Sequence, residues 1–257
     1  MPRRINHRPT TTPATPRTPA KPPPAKPDPL AVSIANGTSF NPVDRAALAS
    51  KMAEALRIGA DVPGRVQDGP TCGLYALGMV MDFWDKKNAK NADPLVQDSD
   101  LWRSDSHSRK EDTKLRMFDL AKSRGWTTQG EMFFADNMAK LAREFGYQAT
   151  VKPNLTLDDI KACVGRHHPA LIAFDVDQVG NPGLYGVKRA HWAVIEGAFQ
   201  KDGVDYLVAT YGWTGKEYVW KASDFMASVN QLNASDFAAA PRDITGCLRG
   251  KLVEVYP

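Results

Sequence analysis

The sequence predicts an α+β fold in which an N-terminal helical lobe packs on an antiparallel β-sheet lobe. Three observations predict it. Up to Gly146, apolar residues recur at helical spacing. From Tyr147 onward the segments shorten, and they alternate or run continuously apolar as strands do. Between two of these segments lies Gln200–Val204 (QKDGV), whose Asp-Gly pair is a hairpin signal and so joins antiparallel neighbours. Helices come first, then strands, and no internal repeat is visible.

The chain opens with a segment that fits no such element. Residues 1–29 hold ten of the nineteen prolines, six basic side chains and one acid, Asp28. With almost nothing apolar to bury, residues 1–40 are expected to be a disordered, Pro-rich basic tail ahead of a domain over 41–257. A solubilising tail, an SH3-type ligand or a bacterial export signal would each read this way. The tail's side-chain charge is +5 and that of the remainder −1, so the overall +4 belongs to the tail. No basic face is implied on the domain, and no nucleic-acid partner is expected.

Asn41-Pro42 reads as a helix start, followed by an apolar stripe to Leu56 and Gly59. A Gly/Pro turn (DVPGRVQDGP) leads into a buried helix over 72–86. Asn88–Ser108 reads as a polar surface excursion. Amphipathic helices are expected over 110–124 and 131–145, each ended by a glycine. Tyr147–Lys152 alternates like a strand, and Thr156 caps a short helix to Gly165. Pro169–Val176 (PALIAFDV) is a buried strand. Ala190–Phe199 and Asp205–Thr210 form the hairpin. Tyr218–Trp220 is a short strand, Ser223 caps a helix through Val229, and Cys247–Tyr256 is the last strand.

The longest strongly apolar stretch, Gly73–Trp84, contains Asp82 and is too short to cross a bilayer, so no membrane span is expected. No apolar core follows the first basic residues, which argues against a secretory signal peptide. Cys72, Cys163 and Cys247 lie far apart with no C-x-x-C. They suggest a reducing compartment, no disulfide framework and no structural zinc.

The chemistry concentrates in two segments. In Gln67–Leu77 (QDGPTCGLYAL) a Gly/Pro turn runs into an apolar helix with Cys72 at the junction. Backbone N–H groups at a helix N-terminus stabilise a thiolate, which predicts a lowered Cys72 pKa, and they can donate to an oxyanion formed beside the sulfur. Gln67 can bring its side-chain amide to that oxyanion. Alone, Cys72 would read as a small buried residue opening a core helix. The glutamine, the turn and Gly73 favour a nucleophile. The second segment is Arg189–Gly197 (RAHWAVIEG). A thiol peptidase needs a base that takes the thiol proton and later protonates the leaving amine. His191 opens a strand 119 residues after Cys72 and fits that role. His7 lies in the tail and His107 in the polar excursion. His167 and His168 read as an exposed turn (RHHP). The remaining Asp and Glu residues read as solvated faces.

Together QDGP-x-CGL-x-AL and His-Trp-Ala-Val resemble the papain-like cysteine peptidase superfamily in its C39-like branch, and most of all the actin maturation protease family. Tyr211–Trp220 and Ser228–Leu232 extend the resemblance, which covers roughly residues 60–235. It implies a thiol peptidase with Cys72 as nucleophile, His191 as base and acid, and Gln67 in the oxyanion hole. It implies no metal or organic cofactor, and as substrate a protein such as actin, losing an N-terminal residue. One departure stands out. The branch carries an Asp or Asn on the strand after the histidine, whereas Val208–Gly212 (VATYG) offers neither, and Asp205 is the nearest carboxylate.

The expected protein is therefore a monomeric cysteine peptidase cleaving near a protein N-terminus. It would be cytoplasmic, or delivered into a host cell if it is a bacterial effector. A transglutaminase or deamidase using the same Cys-His pair, and an inactive papain-like binding domain, are the alternatives.

Overall fold

A computed structural model describes residues 62–67, 69–87, 117–177, 180–184, 189–213, 217–232, 240–241 and 245–257. The tail, the helix expected after Asn41-Pro42, the polar excursion and the start of the 110–124 helix lie outside these residues.

The fold is α+β. In chain order the described elements are α1 (Cys72–Lys87), α2 (Met117–Ser123), α3 (Ala135–Glu144), β1 (Gln148–Lys152), α4 (Leu157–Gly165), β2 (Ala170–Asp175), β3 (Ala190–Lys201), β4 (Val204–Thr210), β5 (Glu217–Lys221), α5 (Ala222–Asn230) and β6 (Leu252–Tyr256). The six strands form one antiparallel sheet in the order β1-β6-β2-β3-β4-β5. Among the described residues no helix is long and apolar enough to cross a membrane.

Side chains of alternating residues go to opposite faces of a strand, and the core divides accordingly. Leu171, Ala173, Trp192, Val194, Val253 and Val255 join α1 and α3 in one apolar layer. Ile172, Phe174, Ala193, Ile195 and Leu207 join α4 and α5 in the other. The sheet thus has helices on both faces, and β2 is buried at every position, which is why it reads as an unbroken apolar run. Asp202 and Gly203 both take positive φ, 52° and 77°, as a two-residue hairpin turn requires. Thr156 and Asp159 form a capping box on α4.

Helix α1 is buried from Gly73 to Asp85. Its two acids sit inside: Asp82 pairs with Arg65 at 2.6 Å, and Asp85 accepts from the Tyr147 hydroxyl at 2.6 Å. Burial pushes the Asp82 carboxyl up to about 6, against the pull of Arg65.

Several expectations need correction. Residues 131–134 lie outside any helix or strand, with Phe134 extended, and the helix starts only at Ala135. Ser223 does not cap α5: Lys221 occupies the cap, and the Ser223 hydroxyl turns to Asp224. The last strand starts at Leu252, because Thr245–Gly250 are turns closed by Gly250 at φ 58°. Asp82, Asp85, Glu131, Asp175 and Glu196 are buried rather than solvated. His168 is no exposed turn residue. It pairs with Glu254 at 2.6 Å and stacks on Tyr256.

Candidate active site

The first turn of α1 sets the site. Thr71 is fully buried, Gly69 turns the chain at φ 62°, and Cys72 is the first helical residue. Gly73 is required here by crowding. An added Cβ would lie 2.8 Å from Met132 Cβ and 3.0 Å from the Trp192 ring. The helix terminus is therefore pressed directly onto Trp192 of β3 and onto Met132 of the irregular 131–134 strip.

Gln67, Cys72 and His191 wall one pocket of about 140 Å³, together with Pro70, Met132, Trp192 and Leu248. The structure thus brings all three sequence-predicted site residues to one place. Backbone N–H groups of Trp192, Gly73 and Cys72 itself surround the sulfur and favour the thiolate, but burial outweighs them and pushes the thiol up to about 11. The lowered Cys72 pKa expected from the helix terminus is thereby corrected. A helix N-terminus favours an anion, yet the protein packed around this one removes more solvation than the dipoles return.

His191 is the second residue of β3, level with Phe174 of β2. Its Nδ1 lies 3.2 Å from the Trp192 carbonyl. That oxygen can only accept, so Nδ1 carries the proton and Nε2 is the free basic nitrogen. Burial holds the imidazole down at about 4, with the carbonyl opposing weakly. Near neutral pH both Cys72 and His191 are therefore uncharged.

Gln67 is fixed from two sides. Its backbone N–H donates to Gly212 O at 2.6 Å. Its Nε2 donates to Gly69 O at 2.9 Å, which leaves one amide hydrogen over. Gly212 must be glycine for this docking, because a Cβ there would sit 2.5 Å from Gln67 Oε1.

Asp205 takes no part. It pairs with Lys161 at 2.8 Å and lies opposite Gln200, nine residues along β3 from His191, roughly 30 Å at strand rise. What surrounds His191 instead is aromatic: Tyr211 at 5.0 Å, Trp213 at 6.2 Å and Phe174 at 6.4 Å between ring centroids. Sequence reasoning also missed the strip after Trp126. Glu131 accepts from Thr127, Thr128 and Gln129. The next residue, Met132, offers its carbonyl to the Trp192 indole at 2.7 Å. The signal was present as Thr-Thr before Glu, a polar turn able to saturate one carboxylate. Among the described residues no three His, Cys, Asp or Glu side chains converge as metal ligands.

Comparison with known proteins matches residues 62–199, more than half of the chain, to the family described as actin maturation protease-like, C-terminal domain. Similar curated proteins include the actin maturation proteases of Danio rerio, 33% identical over 58% of this chain and 43% of that protein, and of Mus musculus, 34% identical over 54% and 34%. That of Drosophila melanogaster is 28% identical over 67% and 56%. The matched region therefore spans roughly a third to just over half the length of these relatives.

Proposed function

Because the chain belongs to the actin maturation protease-like family, we propose that it is a cysteine peptidase that cleaves a peptide bond near a protein N-terminus. Actin is the substrate to test first. The observation that carries this reading is the single pocket shared by Gln67, Cys72 and His191 at the first turn of α1.

The resting pair is a neutral thiol and a neutral imidazole, so His191 acts as a general base during attack rather than as a preformed imidazolium. As the sulfur bonds to the scissile carbonyl carbon, its proton passes to His191 Nε2. The carbonyl oxygen becomes an oxyanion, and it takes the spare Gln67 amide hydrogen and a backbone N–H of the helix terminus. The imidazolium then protonates the leaving amine as the C–N bond breaks. Water, deprotonated by the same Nε2, hydrolyses the thioester and restores the thiol.

The experiment is to incubate the protein and its Cys72→Ala form with purified actin and with cell lysate, and to map new protein N-termini. New termini on actin that require Cys72 are the expected result. Ammonia release without new termini would make the protein a transglutaminase or deamidase. No new termini and no ammonia, with Cys72 labelled no more selectively than Cys163 or Cys247 by a thiol-directed electrophile, would favour a binding domain.

A further inference from the structure

Among the described residues no carboxylate or amide is seen to orient His191, and its contact with Trp192 O, at 3.2 Å, is long. One long hydrogen bond within the same strand limits the imidazole's rotation only weakly. The residue next to the end of β4 supplies what is missing. Tyr211 follows Thr210, which pairs with Val194 of β3. Its ring stands across the imidazole at 77°, closer than any other ring in contact with His191 among the described residues.

Tyr211 is itself held on every side. It is completely buried, and its hydroxyl donates to Gly180 O at 3.0 Å. The hydroxyl also shares a hydrogen bond with Tyr218, and burial raises its pKa, so it stays a neutral donor. Gly180 takes φ 99°, and a Cβ there would lie 2.3 Å from the Tyr211 oxygen. The loop backbone therefore closes directly on the phenol. Tyr218 and Trp220 pack against the same ring at 4.8 and 5.9 Å.

We propose that Tyr211 is the positioning residue of His191: its ring, pinned through the hydroxyl to the Gly180 carbonyl, fixes the imidazole by shape where a polar third residue would fix it by hydrogen bonding. The inference rests on the reading of His191 as the base. It makes the Nδ1–H tautomer a consequence of packing, with the Trp192 carbonyl as acceptor and Nε2 left unprotonated. Tyr211 touches no reacting atom and acts through His191 alone.

The test is ¹⁵N-histidine NMR on the intact protein, with His191→Ala assigning the resonances and turnover of an actin N-terminal peptide measured in parallel. The NMR arm needs no substrate. In the wild type His191 should show one neutral tautomer, protonated at Nδ1, and titrate at about 4. Tyr211→Leu should mix the tautomers, move the titration up towards the ordinary 6.5, and lower kcat about 10–100-fold with KM nearly unchanged. Tyr211→Phe keeps the ring and should restore the tautomer and most of the turnover. Phe225→Leu, in the same aromatic cluster but one ring removed from His191, controls for general loosening and should leave the tautomer unchanged. If Tyr211→Leu does not fold, Tyr211→Met, whose unbranched side chain adapts to an irregular gap, is read in the same way. A wild-type tautomer and titration in the Leu or Met variant would overturn the inference. So would an equal displacement by Phe225→Leu. Full turnover in His191→Ala would instead overturn the assignment of the base, whatever the spectra show.

Discussion

Around Cys72 the groups that matter are backbone amides: the N–H groups of Cys72, Gly73 and Trp192 surround the sulfur. Around His191 they are rings: Phe174, Tyr211 and Trp213, with one carbonyl as the polar contact. The two residues wall the same pocket from differently built sides of the sheet. Amide dipoles fixed in a helix turn do not depend on neighbouring side chains, so the nucleophile's surroundings survive most substitutions that spare the turn. A ring-packed base depends on the shape of each neighbour. Substitutions around the two residues should therefore differ in kind. Those on the Cys72 side change chemistry or stability, whereas those on the His191 side change orientation.

The largest effects come from the two residues themselves. Cys72→Ala and His191→Ala should abolish peptide turnover. Cys163→Ala and Cys247→Ala should keep most of it. Cys163 is buried, its thiol donates to the His168 carbonyl, and it lines no part of the pocket that holds His191. Turnover surviving in Cys72→Ala would remove the comparison's first member. Next comes Gln67→Ala, which deletes a side-chain donor without touching the backbone bond to Gly212. It should lower kcat by about 10²–10³ with little change in KM, the scale for losing one oxyanion donor. An equal rise in KM instead would place Gln67 in ground-state binding.

The contrast also explains what could be read in the sequence. Gln67, Cys72 and the helix after it form a contiguous motif, and His191 opens a strand marked by its apolar run. Local pattern therefore sufficed to single these residues out as candidates, and they line one pocket. The Asp202-Gly203 hairpin and the Thr156 cap were legible for the same reason. What tertiary packing decides was not legible. Arg65 finds Asp82, and Val62 finds Glu196 across 134 residues, so both acids looked solvated. The strip at 131–134 carries three consecutive apolar residues directly ahead of a helix, but it lies outside that helix and lines the pocket. Tyr211 escaped notice because its contribution is shape, which no residue type announces. The Cys72 thiol was predicted in the wrong direction because a helix dipole is local while desolvation is global.

Two glycines test how the dipole-held side tolerates crowding. Gly212→Ala would drive a methyl into the Gln67 amide, 2.5 Å from Oε1. It should reproduce part of the Gln67→Ala loss in kcat, about tenfold, while the rate of Cys72 alkylation stays at the wild-type value. Gly73→Ala meets Met132 and Trp192 at 2.8 and 3.0 Å and should cost about 1–3 kcal/mol of stability, read by denaturant unfolding. If Gly73→Ala changed neither stability nor turnover, the helix terminus would not be pressed on β3 as described.

The smallest effect should come from the strip that joins the two sides. Glu131 gathers Thr127, Thr128 and Gln129 on its carboxylate, and Met132 beside it carries the Trp192 indole and lines the pocket. Desolvation works against this carboxylate, but the donated hydrogen bonds prevail and hold its pKa below the usual 4.5. A depressed carboxyl pKa stabilises the fold above its unfolded value, and that contribution is lost as pH falls through the folded value. Glu131→Gln should therefore lower Tm at pH 7 by about 2–4 °C for each kcal/mol lost, and the gap to the wild type should narrow below pH 4.5. The depressed His191 pKa also weakens the fold as pH falls from 6.5 to about 4. It does so in both proteins and cancels in the difference. Turnover at pH 7 should fall only a few-fold, because the amide that replaces the carboxylate keeps the shape of the turn while losing the charge that tightens it. A Tm gap unchanged from pH 7 to pH 3.5 would mean that the charge on Glu131 does not hold the strip against the pocket.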